Sequence, residues 1–333
     1  MTDSLAAPLL AWFGRARRDL PWRVEPRDPY RVWVSEVMLQ QTRVETVLRY
    51  YEPFLARFPD PRALALAPED AVMKAWEGLG YYRRARLLQQ GARHIARHGM
   101  PRTHAEWLDV PGVGPYTAGA IASLAHGERA AAVDGNVLRV WARIADDDAD
   151  VATPAAKARA AAWVLAHQPR GAAGAFNEAL MELGATVCTP AAPRCDACPI
   201  ARACAGRARA AELPLKAAKA RPRATRVLLA VARRDGKLLL EKREGGLLAG
   251  TWGLPWVEGG RDALAAHVAR LVGAPVRVRA APAARGEHAF THRRWRMEAY
   301  EVETRGRGGE WRRAEEVALG AAHRRILAAL GGA

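Results

Sequence analysis

With 333 residues, half of them apolar, the chain is long enough for two domains that each bury a core. No run of about 18 apolar residues spans a membrane, and the early Leu5–Phe13 stretch is followed, not preceded, by basic residues; it reads as an amphipathic first helix rather than an export signal, giving a cytoplasmic expectation. Lys and Arg total 51 against 35 acids, a net charge of +16 that favours a polyanion; a GC-rich genome would explain Arg replacing Lys but not the excess of bases over acids.

From Leu5 to about Arg207 apolar residues recur at three and four, as in Val34-Val37-Met38 and Leu87-Leu88-Gly91-Ile95, which predicts an all-helical domain over 1–207. Within it, Leu108-Asp109-Val110-Pro111-Gly112-Val113-Gly114-Pro115-Tyr116 joins two helices through a tight turn, a helix–hairpin–helix at about 108–121. Gly112 and Gly114 let the backbone turn sharply and approach a ligand, and the next helix start offers N–H groups to a phosphate. As an isolated motif this is equally a structural turn. Val133-Asp134-Gly135-Asn136-Val137 then sets a carboxylate and a carboxamide at another helix start, where an ordinary Asp cap is the plain reading.

All four cysteines follow in one stretch, Cys188, Cys195, Cys198 and Cys204, spaced C-x6-C-x2-C-x5-C. Two disulfides in so short a loop are disfavoured, so the thiols read as metal ligands. Zinc prefers paired C-x2-C knuckles, whereas one C-x2-C flanked by longer arms favours a [4Fe–4S] cluster over 188–204, with zinc as the alternative.

Residues 208–224 are rich in Arg, Lys, Ala and Pro, as in a basic linker. The pattern changes beyond it. Arg226–Ala232 and Lys237–Lys242 are apolar runs joined by Arg233-Arg234-Asp235-Gly236, a hairpin signal, and Arg261–Leu271 and Arg313–Leu330 are helix candidates in a mixed domain over 225–333.

The hairpin followed by Asp134, together with the cysteine loop, resembles the helix–hairpin–helix DNA glycosylase superfamily. Val34-Ser35-Glu36-Val37-Met38-Leu39-Gln40-Gln41-Thr42 and Gly78-Leu79-Gly80-Tyr81-Tyr82 are similar to its MutY-type adenine glycosylases. The similarity covers the helical half, and four ordered motifs are far more specific than any one. It implies a multi-domain fold: an all-α glycosylase domain with an iron–sulfur loop, then an α+β NUDIX-like domain. Members that also cleave the strand carry a lysine where this chain has Tyr116, so a monofunctional enzyme is implied.

By the resemblance, Glu36 is the general acid toward adenine N7 and Asp134 the carboxylate opposing the sugar cation, with Tyr116 and Asn136 as helpers to Glu36, sugar or phosphate. The plain reading of Glu36 is a solvent-facing helix acid, but Val34, Val37, Met38 and Leu39 around it favour a sheltered carboxyl. Arg18, Leu20, Trp22 and Arg23 are expected in the adenine pocket, with Glu178 reading the base edge. Gln40, Gln41 and Tyr81 are expected around the opposing base, with Gln41 and Tyr81 as wedges; Tyr82 is equally a core residue. In the second domain only Asp262 stands where a hydrolytic NUDIX helix needs several glutamates, so a reader role is expected. His288-Ala289-Phe290-Thr291-His292 resembles the family's 8-oxoguanine loop, Phe290 intercalating and Thr291 and His292 bonding to the lesion; a hairpin tip with a buried Phe is the plain alternative.

The expected partner is double-stranded DNA bearing A:8-oxoguanine or A:G mispairs, bound by a monomer with no membrane role, in the cytoplasm at the bacterial nucleoid. A sliding clamp or other repair proteins are further partners the resemblance allows. The rival readings are an endonuclease III-like glycosylase with lyase activity and a non-catalytic lesion-binding protein.

Overall fold

The computed structural model describes residues 5–216 and 222–331, and the chain folds as two compact units. One contains the described residues up to Leu66 and from Gln90 to 216. The other contains Ala67–Gln89 with the described residues from Pro222 onward.

The first unit is helical because its helices carry strong local start signals. Asp28 caps the helix Pro29–Leu39, its Oδ1 accepting from Tyr30 N at 2.7 Å and Arg31 N at 3.2 Å, with Pro29 at the first helical position. Thr103 and Glu106 form a reciprocal capping box on His104–Leu108. Pro115 opens Pro115–His126, and Asp134 caps Gly135–Ile144. Leu9 and Phe13 of Ala6–Ala16, Val137 and Val140 of Gly135–Ile144, and Phe176, Leu180 and Leu183 of Ala173–Thr186 share one core with Ile200 of the cysteine loop. Burying that apolar face, rather than helix propensity, holds the unit together.

In the second unit the strands are β1 (Arg223–Val231), β2 (Arg233–Arg234), β3 (Lys237–Lys242), β4 (Trp252–Gly253), β5 (Trp256–Val257), β6 (Val276–Val278), β7 (Ala284–Ala289), β8 (Arg293–Thr304) and β9 (Glu310–Arg312). One sheet runs β5-β1-β8-β6 with β7 also on β8, and β1 and β8 are parallel; a second sheet runs β2-β3-β4 with β9 on β3. Val227, Leu229 and Val231 pack with Ile326 and Leu327 of the helix Ala321–Ala329, while Leu228 and Ala230 pack with Leu264 and Val268 of the helix Arg261–Val272. Two-sided burial explains why β1 reads as an unbroken apolar run.

The expected turn is present: Asp235 (φ 48°) and Gly236 (φ 73°) are both left-handed, as a type I′ hairpin requires. Its first arm differs from expectation, because β1 pairs with β5 and β8 and only Arg233–Arg234 ladders with β3. The helix expected over Arg313–Leu330 is confined to Ala321–Ala329, since Leu319 is drawn into a parallel bridge with Trp252. Part of the 208–224 stretch lies outside the described residues. Among the described residues no helix is long and apolar enough to cross a membrane.

Candidate active site

Glu36 lies in the last two turns of Pro29–Leu39, 5% exposed among Val34, Val37 and Met38. Its Oε2 accepts a short hydrogen bond from the Tyr116 hydroxyl, carried on the first turn of Pro115–His126. Burial lifts the Glu36 carboxyl from its ordinary 4.5 to about 7; the charges of Asp134 and Glu178 add to the rise, and the Tyr116 bond and Arg23 oppose it. The solvent-facing reading of Glu36 therefore fails. Burial and the nearby Glu36 charge also hold the Tyr116 hydroxyl well above its ordinary value, so it stays a donor.

Asp134 satisfies its plain reading, that of a helix cap. Its Oδ1 caps Val137 N at 2.7 Å and its Oδ2 accepts from Asn136 Nδ2 at 2.8 Å. Burial raises its pKa, while these N–H donors favour the ionised form. Asn136 therefore supports Asp134 and not Glu36. A Cβ on Gly184 would come within 2.6 Å of the Asn136 Cβ, so this glycine lets Ala173–Thr186 close on the site. Asn177, fully buried and missed in the sequence, donates to Ala130 O at 2.8 Å and so holds the irregular segment leading into Asp134.

Behind Glu36 lies a buried ion network. Glu182, 1% exposed at its side chain, accepts from Arg18 Nε at 2.7 Å, Arg18 Nη2 at 3.0 Å and Arg23 Nη2 at 2.9 Å. Glu178 accepts from Arg23 Nε at 3.1 Å and Arg27 Nη2 at 2.8 Å. The buried Glu178 carboxylate thus pairs with two guanidinium groups. Arg27 and Glu182 complete the set and carry no local motif to announce them. Leu20 and Trp22 are buried next to this network, Trp22 edge-on to Tyr51 at 5.5 Å.

Arg139 ties the site to the cysteine loop. It donates to Asn136 Oδ1 at 2.9 Å, Gly184 O at 2.8 Å and Cys188 O at 2.8 Å. One turn on, Arg143 donates to Cys188 Sγ at 3.2 Å and Thr189 O at 2.8 Å. All four cysteines line a single cavity, whose other walls include Val140, Ile144, Leu183, Ile200 and Arg143, with no carboxylate or imidazole. Burial, then the neighbouring cysteine charges, pushes the Cys204 thiol up to about 11 and raises Cys198. Among the described residues no three His, Cys, Asp or Glu converge as closely as ligands of one ion. Soft sulfur donors around a shared apolar-walled cavity fit a thiolate-bound cluster.

The expected base-displacing residues share an unusual backbone. Gln41 (φ 58°) and Tyr81 (φ 48°) are non-glycine residues in the left-handed region, both exposed, and such strain concentrates at functional sites. Gln40 Nε2 donates to Thr117 Oγ1 at 3.2 Å. Tyr82 is a core residue, 6% exposed. In the hairpin, Gly112 adopts φ 83°, whereas Gly114 is extended at the N-cap of Pro115–His126, and a Cβ there would meet open space. At the β7–β8 tip, Phe290 N donates to Arg293 O at 2.7 Å, leaving Thr291 and His292 exposed. Phe290 itself turns inward, edge-on to Trp295 at 5.1 Å, because the aromatic core offers it more contact than water.

The helical fold and this site define a base-excision class of protein: residues 34–166 match the model of the HhH-GPD superfamily base excision DNA repair protein, and residues 227–329 match a NUDIX domain. The chain is 34% identical over 321 residues to an adenine DNA glycosylase of Schizosaccharomyces pombe, covering 76% of this chain and 69% of that one. It is 47% identical over 215 residues to the adenine DNA glycosylase of Homo sapiens, covering 60% of this chain and 39% of that one. The chain belongs to the adenine DNA glycosylase family. It spans less than half the length of its mammalian and plant relatives. A solved thermostable thymine-DNA glycosylase is also similar, at 30% identity and a TM-score of 0.55, over 61% of this chain and 95% of that one.

Proposed function

We propose that the protein is a monofunctional DNA glycosylase that hydrolyses the N-glycosidic bond of adenine mispaired with 8-oxoguanine or guanine in duplex DNA. The observation that carries this reading is the buried Glu36, held near half-protonation at neutral pH by burial and bonded by Tyr116. Adenine leaves poorly as an anion, so Glu36 donates its proton to the ring nitrogen as the bond breaks. Asp134, kept ionised by the Val137 and Asn136 N–H donors, opposes the positive charge developing on the sugar, and water completes hydrolysis. Arg18, Arg23, Leu20 and Trp22 wall the base site, with Glu178 and Glu182 aligning the two guanidinium groups rather than touching the base themselves.

The target base must leave the stack, at roughly a few kcal/mol, and Gln41 and Tyr81 fill the space it leaves. The Gly112–Gly114 hairpin grips phosphate, and the Thr291–His292 tip flanked by Arg293, Arg294 and Arg296 reads the opposing base. Cys188, Cys195, Cys198 and Cys204 would hold a [4Fe–4S] cluster. When bound, the cluster supplies a four-thiolate cross-link that fixes a loop bearing Arg194 and Arg202 toward DNA phosphates.

The test is single-turnover adenine release from a duplex with one A opposite 8-oxoguanine, comparing wild type with Glu36→Gln and scoring strand breaks before and after alkali. Release dependent on Glu36 with breaks only after alkali is the expected result. Breaks without alkali would establish a lyase instead, and tight binding without release an idle lesion binder.

A further inference from the structure

Leu319 of the second unit forms a parallel bridge with Trp252, and the two edges of the stretch around it, Val317–Gly320, are satisfied differently. Toward β4, Trp252 N donates to Ala318 O at 2.9 Å and Gly320 N donates to Trp252 O at 3.0 Å. The backbone groups of Val317 and Leu319 face the other way, as strand alternation requires, toward a position where another strand could pair. Three side chains of the Ala67–Gln89 segment take that place. Lys74 Nζ donates to Val317 O at 3.1 Å, Glu77 Oε1 accepts from Leu319 N at 3.0 Å, and Tyr82 Oη donates to Leu319 O at 3.2 Å. Glu77 is further held by Arg324 Nε at 2.9 Å and Nη2, and by Lys74 Nζ at 2.7 Å.

Tyr81 stands between two of these anchors. Its backbone is left-handed at φ 48°, next to Gly80 at φ 72° and close to Gly78 at φ 102°, while its side chain remains 49% exposed. A non-glycine residue holds such a conformation only when its surroundings over-determine it. Trp76 Nε1 and Arg84 Nη2 both donate to Gly80 O at 3.2 Å, which fixes the inner side of the turn. The outer side is fixed by Glu77 and Tyr82 on the Val317–Leu319 strap.

We infer that Glu77 and Tyr82 are positioning residues for the Tyr81 wedge, so that the C-terminal part of the chain orders the wedge before DNA arrives as well as presenting the Thr291–His292 tip. This rests on the reading that Tyr81 enters the DNA stack. Ordering the turn at folding removes a conformational cost that binding would otherwise carry.

The full-length protein tests this through its affinity for an A:8-oxoguanine duplex containing a non-hydrolysable 2′-fluoro deoxyadenosine, with 2-aminopurine beside the opposing base reporting the opened stack. Glu77→Ala is expected to weaken binding by about tenfold, the size of one charge-assisted hydrogen bond, and to lower the fluorescence. In a Tyr81→Ala background the same change is expected to have almost no further effect. Tyr82→Phe, which removes only a hydroxyl, should give a smaller loss with the same dependence on Tyr81, and it carries the test where Glu77→Ala fails to fold. Equal losses in both backgrounds, or no loss from either anchor variant, would overturn the inference while leaving the wedge intact. A Tyr81→Ala protein indistinguishable from wild type would sink the wedge reading itself, and the inference with it.

Discussion

The helical unit and the sheet unit both bury titratable groups, but they treat them in opposite ways. Around Glu36 every buried charge has company: Tyr116 on Glu36, Val137 and Asn136 on Asp134, and three arginines shared between Glu178 and Glu182. In the sheet unit, His323 is fully buried against Gly253 and Trp295; its Nδ1 accepts from Leu254 N at 3.1 Å, but its Nε2 has no protein partner, and neither do the indole nitrogens of Trp252, Trp256 and Trp295. Burial holds His323 down at about 3, with Arg243 and His288 adding to the effect. Burial raises the carboxyl pKa in one unit and lowers the imidazole pKa in the other, favouring the uncharged form in both. What differs is the number of partners each buried group is given.

The largest expected consequence lies in the tuned set. Glu36→Gln should slow adenine release by about 10²–10⁴-fold, measured at single turnover. It should also stabilise the helical unit at alkaline pH. Because the folded pKa of Glu36 lies above its ordinary value, the native state binds the extra proton, and stability falls as pH rises from 4.5 through about 7. Equal melting temperatures for wild type and variant at pH 5 and pH 8 would show that Glu36 is not sheltered in solution.

His323 has the opposite sign. Its folded pKa is depressed, so its contribution is complete above 6.5 and is lost as pH falls toward about 3. Acidification should therefore destabilise the sheet unit by up to roughly 5 kcal/mol, seen as loss of tryptophan near-ultraviolet dichroism before helical signal is lost. Simultaneous loss of both signals would erase the contrast between the units.

Removing one partner from the arginine network comes next. Glu182→Ala leaves Arg18 and Arg23 without their shared carboxylate and should cost about 3 kcal/mol of stability in denaturant titration. The smallest effect is the most diagnostic. Tyr116→Phe removes a donor that lowers the Glu36 pKa, so the alkaline limb of the rate profile should move up from near 7 by about one pH unit. A downward move would mean that Tyr116 acts on the proton by another route.

Much of the site was legible because its signals are short-range. The cap at Asp134, the Gly112 turn, the Asp235-Gly236 hairpin and the cysteine spacing all depend on neighbours within a few residues, so composition and order suffice. Glu36 was legible as a sheltered acid from its apolar neighbours, but its pKa depends on Tyr116, Asp134 and Glu178, residues distant in sequence.

What only the tertiary structure decided has the same character throughout. Arg27 meets Glu178 and Arg18 meets Glu182 across more than 150 residues. β1 pairs in parallel with β8, Phe290 folds inward onto Trp295, and Leu319 is taken into a bridge that shortens the last helix. The sequence by itself determined that a helical part is followed by a sheet-containing one, and where the turns fall. Long-range pairings were left to the fold, because they depend on which buried surfaces close on one another, and no local pattern records which distant partner satisfies a buried charge or an open strand edge.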